Sequence, residues 1–183
     1  MKRIILAVLG VLTVSTGAEA QSTAQMIEGA LAAAPGRTRA GATVIRWNAD
    51  YTYATLKEGT NNLVCYDRSD ERGRRPFAVQ CTSMANLDRV AQSRRFRAEG
   101  GDAAGERALL AAAEANGTRV LPEFGSVWIS MNGADQASAG THTTVAMPGA
   151  TTASTGFPEN GRGGGAYIMD AGTSTAHLMT PGH

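Results

Sequence analysis

Cys65 and Cys81 constrain this chain more than any other pair of residues, because they are its only cysteines and the first twenty residues read as a leader to an oxidising compartment. Lys2 and Arg3 open the chain, Ile4 to Val14 form a short apolar run, and Ala18-Glu19-Ala20 supplies the small-x-small pattern cut by signal peptidase. The expectation is a secretory signal peptide over residues 1–20 and a mature, exported chain from Gln21, in the periplasm or outside the cell. The apolar run is too short for a bilayer, and no later stretch reaches the roughly eighteen apolar residues that a span requires. A transmembrane segment in the mature chain is therefore not expected. No cysteine sits at the cut site to take a lipid.

An even pair of cysteines in an exported chain predicts a Cys65–Cys81 disulfide. Two thiols alone make an incomplete zinc site, and their spacing is not C-x-x-C. The bridge closes a loop of about 15 residues, worth about 3 kcal/mol in the chain-entropy model. Unstrained geometry places the two Cα atoms about 4.4–6.8 Å apart. The loop itself, Tyr66 to Gln80, is dense in charge and broken by Gly73 and Pro76. It reads as a solvated excursion stapled to the strands on either side. Asp67, Asp70 and Glu71 lie there among arginines, where ion pairing is expected rather than acid–base chemistry.

The rest of the chain falls into zones with different periodicities. Met26, Ile27, Ala30, Leu31 and Ala34 follow a helical rhythm that Pro35-Gly36 ends. Residues 43–47, 51–56 and 63–66 are short, β-branched and aromatic, with turn formers between them. They predict an antiparallel meander, with 77–81 as a fourth strand. Residues 82–121 are helical: Thr82 or Ser83 caps one segment, Gly100-Gly101 stops it, and Asp102 caps the next. Arg89, Arg94, Arg95 and Arg97 lie mostly off the apolar side of the first of these helices, and the run Arg94, Arg95 and Arg97 reads as a solvated helix face, although such a run also suits an anion or acidic partner.

From residue 124 onward the chain carries four formal charges, Asp135, Glu159, Arg162 and Asp170. Strands are expected at 127–131, 143–147, 166–169 and 175–179, with a mobile, glycine-rich segment at about 148–165. Strands on both sides of a helical middle, without β-α-β alternation, predict an α+β fold in a single domain: one mostly antiparallel sheet with two or three helices packed on one side.

Charge and motif exclude several functions. The chain has 17 basic and 16 acidic residues, and the leader takes Lys2, Arg3 and Glu19, leaving 15 of each. A neutral mature chain lacks the basic excess needed for nucleic acid. The glycines of 161–165 are not followed by Gly-Lys-Ser/Thr, so no cofactor loop is expected. His142, His177 and His183, the only histidines, make no metal-ligand spacing, so no metal is expected either. A Ser-His-Asp triad assembled from Asp170, His177 and a serine rests on no local motif, since no G-x-S-x-G elbow is present.

The order of pieces resembles one known family. Met26-Ile27-Glu28-Gly29-Ala30-Leu31-Ala32-Ala33-Ala34-Pro35 precedes Gly41-Ala42-Thr43-Val44, and Leu56-Lys57-Glu58-Gly59-Thr60-Asn61-Asn62-Leu63-Val64-Cys65 follows. Pro76-Phe77 precedes Cys81. This is similar to small exported bacterial proteins carrying "AAP", then "ATV", then "L-x-x-G-x-N-G-W-x-C", over residues 26–96. The family's Asn-Gly-Trp is Asn61-Asn62-Leu63 here, and its C-terminal Gly-Pro-His-x-Met finds only Thr175-Ala176-His177-Leu178-Met179. The resemblance implies one exported domain with a two-cysteine hairpin region and supplies no catalytic residue.

Two functional readings follow. The first is a non-enzymatic binding or interaction domain whose partner is an envelope protein or a small ligand. The second is a small exported hydrolase with His177 as its base, which requires a Ser, Asp, Glu or Cys side chain within hydrogen-bond reach of that ring.

Overall fold

We describe a computed structural model in which residues 15–180 are placed. Most of the expected signal peptide, together with His183, lies outside the described residues. Helix α1, Ser15–Ala30, runs through the expected processing point after Ala20 and continues as a 3-10 turn over Leu31–Ala33. Pro35 then starts a one-turn helix α2, Gly36–Arg39.

Eight strands form one sheet: β1 Thr43–Trp47, β2 Tyr53–Lys57, β3 Leu63–Asp67, β4 Phe77–Ser83, β5 Val127–Gly133, β6 Gly140–Ala146, β7 Tyr167–Met169 and β8 His177–Met179. Their order across the sheet is β2-β1-β3-β4-β5-β6-β8-β7. All neighbours are antiparallel except β1 and β3. The α+β, single-domain, mostly antiparallel reading is thus correct, and the two strand-rich ends of the chain do join one sheet.

The expected meander needs correction. β1 and β2 form the hairpin, but β3 lies on the far side of β1 and runs parallel to it. The chain manages this by passing residues 58–62 beneath the start of β1. Thr60 and Asn61 donate their backbone N–H to the Gly41 carbonyl at 2.8 and 3.1 Å, and Lys57 Nζ donates to the carbonyls of Ala40 and Ala42 at 2.8 and 2.7 Å. The pass is so close that a Cβ on Gly59 would lie 2.4 Å from the Thr43 nitrogen. Glycine is there because the backbone of β1 occupies the space of any side chain.

The helices outnumber the two or three expected, and they divide between the two faces of the sheet. Alternation along the strands sets this division. Val44, Cys65, Val79, Cys81 and Ile129 point to the face covered by Ala30, Leu31 and Ala33. Ile45, Val64 and Tyr66 point to the other face, where Leu87 and Val90 of helix α3, Leu87–Glu99, pack on them. Ser83 accepts from the Ala85 N–H ahead of α3. Asp102 accepts from the N–H groups of Ala104 and Gly105 and so caps helix α4, Ala103–Ala115. A third, smaller core around Ala150, Ile168 and Ala176 lies at the β7–β8 end.

The disulfide joins Cys65 and Cys81, which oppose each other across β3 and β4 and are fully buried. Their Cα atoms are 4.1 Å apart, just below the expected range, because the two residues face each other directly in an antiparallel pair. Segment 148–165, expected to be mobile, carries helix α5, Thr152–Thr155, with a Thr151–Ser154 capping box, and a 3-10 turn at Gly161–Gly163. Among the described residues no helix is long and apolar enough to cross a membrane.

Candidate functional site

A polar row crosses the α3-side face of the sheet. Tyr66, Gln80, Ser130 and His142 occupy successive register positions on β3, β4, β5 and β6. The Tyr66 hydroxyl and Arg68 Nη1 donate to Gln80 Oε1 at 2.9 and 3.1 Å, and Gln80 Nε2 donates to Ser130 Oγ at 3.0 Å. Burial raises the Tyr66 phenol well above its ordinary value, so its proton stays in place to make this bond. Between the row and α3 lies a cavity of about 540 Å³. Six arginines line it, with one carboxylate, Glu71.

Glu71 is the first surprise of the site. The disulfide loop reads as a solvated excursion, yet this side chain is 3% exposed. Arg68 holds it through two 2.8 Å hydrogen bonds, Arg94 Nη1 reaches its Oε1 at 2.7 Å, and Arg97 and Arg74 approach its Oε2. Burial by itself raises the carboxyl, but the Arg68 hydrogen bond and the charges of Arg68, Arg97 and Arg94 outweigh it and hold the group at about 2. The ion-pairing expectation for this loop is met at Glu71 and at Asp70, which bonds Arg94 Nη2 at 2.6 Å. Asp67 instead caps its own turn through the Ser69 N–H.

The arginine run of α3 is not a solvated face. Arg94 is buried and lies 5.6 Å over the Trp47 ring, while Arg97 also meets Glu106 at 3.0 Å. Arg95 alone turns outward and covers Tyr51. The sequence expectation failed because the partners of Arg94 and Arg97 sit on the disulfide loop, over twenty positions away, and no helical pattern can show them.

A second set of cations stands at the other end of α3. Arg89 and Arg119 are 5% and 9% exposed, and no carboxylate among the described residues pairs with either. Arg89 Nη1 donates to the Val120 carbonyl and, at 3.4 Å, to Ser174 Oγ. Arg119 donates to Gln92 Oε1 at 2.6 Å and Ser93 Oγ at 2.8 Å, while its buried Nε has no partner. Glu114 accepts a hydrogen bond from Ser174, the hydroxyl that Arg89 also meets, and acts on both guanidiniums by charge without pairing with either. Burial lowers the Arg89 guanidinium, and the charge of nearby Arg119 lowers it further against the pull of Glu114, to about 10; it remains a cation at neutral pH. Sequence reading missed Arg119 altogether, since it follows the Asn116-Gly117 helix stop and belongs to no periodic segment.

His142 and His177 both line the cavity. The His177 Nδ1 donates to the Thr175 carbonyl at 2.7 Å. No Ser, Asp, Glu or Cys side chain among the described residues hydrogen-bonds this ring. That leaves the hydrolase reading without a bonded nucleophile or orienting carboxylate. Asp170, the paper triad's acid, forms the β7–β8 turn through its carbonyl, which accepts from Thr173.

No family model, curated protein or solved structure matches this chain. The chemistry of the site therefore rests on its own residues.

Proposed function

We propose that this chain is an exported, non-enzymatic binding domain whose cavity holds an anionic small molecule. One observation carries the reading: six guanidinium groups line the cavity against a single carboxylate, and two of the six are buried without one. Guanidinium is weakly hydrated and offers a planar fork of donors, which suits carboxylate and phosphate groups. A volume of about 540 Å³ matches a small-molecule site. The disulfide and the leader motif favour a periplasmic or extracellular location for this activity.

The test is calorimetric titration of the full, oxidised chain with matched anionic, neutral and cationic small molecules, beside a broad hydrolase-substrate screen. Anions are expected to bind, with affinity falling as salt rises, while neutral and cationic analogues do not. Equal binding of the neutral analogues would defeat the reading. So would turnover that His177→Ala abolishes.

A further inference from the structure

The segment that carries Arg119 also carries the two most exposed large apolar side chains of the described chain, Leu121 and Phe124, at 61% and 67%. Between them Pro122 is buried and lines the cavity. This segment is no loose loop. Three side chains in succession from the start of α3 strap it down. Asn86 accepts from the Glu123 N–H at 2.8 Å and donates to Ser126 Oγ at 3.0 Å; Arg89 donates to the Val120 carbonyl; Gln92 accepts from the Val120 N–H at 3.0 Å and donates to the Thr118 carbonyl at 2.8 Å. Asn86 is itself fully buried. The backbone is thus held by a dedicated polar ladder while Leu121 and Phe124 stand in water, an arrangement that loses apolar burial for no gain within the chain.

Three facts meet at this end of the cavity. Arg89 and Arg119 are buried cations without a carboxylate. The Arg119 Nε is a buried donor without a hydrogen-bond partner, which leaves this guanidinium incompletely satisfied within the chain. Val90, Trp128 and Pro122 give the cavity apolar wall, and Pro122 belongs to the segment that exposes Leu121 and Phe124.

Resting on the anion-binding reading above, we infer that the ligand is a single-chain anionic amphiphile. Its oxyanion head sits on Arg89 and Arg119, and its tail lies along Val90 and Trp128 and out over Leu121 and Phe124. The head supplies the acceptors these guanidiniums lack, and the tail covers the strapped apolar pair. A small hydrophilic anion would leave Leu121 and Phe124 unexplained, and a neutral apolar molecule would leave the two cations unpaired.

The experiment titrates the full, oxidised chain with dodecanoate, dodecyl phosphate, butanoate and the neutral detergent dodecyl maltoside. One or both dodecyl anions are expected to bind at least about tenfold more tightly than butanoate, with the stronger of the two identifying the head group. Arg119→Gln is expected to weaken that binding about tenfold or more, and Arg119→Lys to recover part of it. The double variant Leu121→Ser, Phe124→Ser is expected to weaken the dodecyl anion while leaving butanoate within about twofold. Arg39→Gln, at a residue that pairs with Glu28 and does not line the cavity, is the unchanged control. Circular dichroism and the intact disulfide verify the fold of each variant, and if Arg119→Gln does not fold, the Lys variant and the double variant decide. Equal binding of butanoate and the dodecyl anions, or indifference to the double variant, overturns the amphiphile and leaves the anion reading standing. Capture only by anionic vesicles, without binding below the critical micelle concentration, also overturns it. No binding of any anion defeats both readings together.

Discussion

Two groups of arginines face the same cavity, and they are held in opposite ways. Arg68, Arg74, Arg94 and Arg97 converge on Glu71, with Asp70 and Glu106 completing an ion-pair network. Arg89 and Arg119 hydrogen-bond only to hydroxyl, amide and carbonyl oxygens, and Arg119 lies over the Phe96 ring. Cations whose charge is neutralised within the chain fix a structure, here by tying the disulfide loop to α3. Cations held by neutral acceptors keep an uncompensated charge, which is what the proposed anion would meet. Burial alone does not tell the two apart, because Arg94 and Arg119 are equally hidden.

The sharpest break is Glu71→Gln. It leaves four guanidiniums converging on a neutral amide, and the chain is expected to lose about 3–5 kcal/mol, as uncompensated buried charges do. Urea unfolding measures it, and a loss under about 1 kcal/mol would mean that the network contributes little. Acid probes the same carboxyl without mutation. Folding holds it at about 2 against an ordinary 4.5, so its stabilisation is complete above about pH 4.5 and is lost as the pH falls toward 2. That slope is expected to total about 3 kcal/mol in the wild type, and to be much flatter in Glu71→Gln. A parallel slope in both proteins would assign acid unfolding to other groups.

Removing the Cys65–Cys81 bridge acts on one arginine group alone, because the bridge closes the loop bearing Arg68, Glu71 and Arg74 but no part of the Arg89–Arg119 pair. The Cys65→Ala, Cys81→Ala chain is expected to be less stable by about 3 kcal/mol, yet where still folded to bind anions as the wild type does. Anion affinity that collapses with the disulfide would erase the distinction. Arg119→Met is expected to cost about 2 kcal/mol, through the loss of its charge-assisted hydrogen bonds to Gln92 and Ser93, while affecting anion affinity strongly. At the small end stands Arg39, exposed and paired at 2.8 Å with Glu28 on α1; Arg39→Ala is expected to shift the unfolding midpoint by less than about 0.5 kcal/mol.

Much of the scaffold was legible because its causes are local. β-branched runs between turn formers marked the eight strands, Asp102 advertised its cap, and an even cysteine pair behind a leader-like segment announced the bridge. The topology of β3 was not legible, since a five-residue link between β2 and β3 suits either side of β1, and Gly59 alone hints at the close pass. The site was legible only in fragments. His177 was picked out, and it does line the cavity, but its ring answers to the Thr175 carbonyl. Glu71 and Arg94 resembled ordinary surface charges, because a charge is buried by partners elsewhere in the chain and leaves no trace beside itself. Arg119 gave no signal at all.

The seam between β4 and β5 carries a consequence in time. Everything on one side of it comes from residues before 84, and everything on the other from residues after 126. Each half pairs strands from its own stretch of the chain, β8 inserting between β6 and β7 in the second. The seam aligns Phe77 with Gly133 and Cys81 with Ile129, so it closes only after the intervening helical stretch has bent back on itself, a loop whose entropy must be overcome first. Pairings of that span belong to chains that fold in milliseconds to seconds rather than microseconds. The main barrier to folding is expected at this joint, with the amides of β4 and β5 exchanging their hydrogens only when the whole molecule opens.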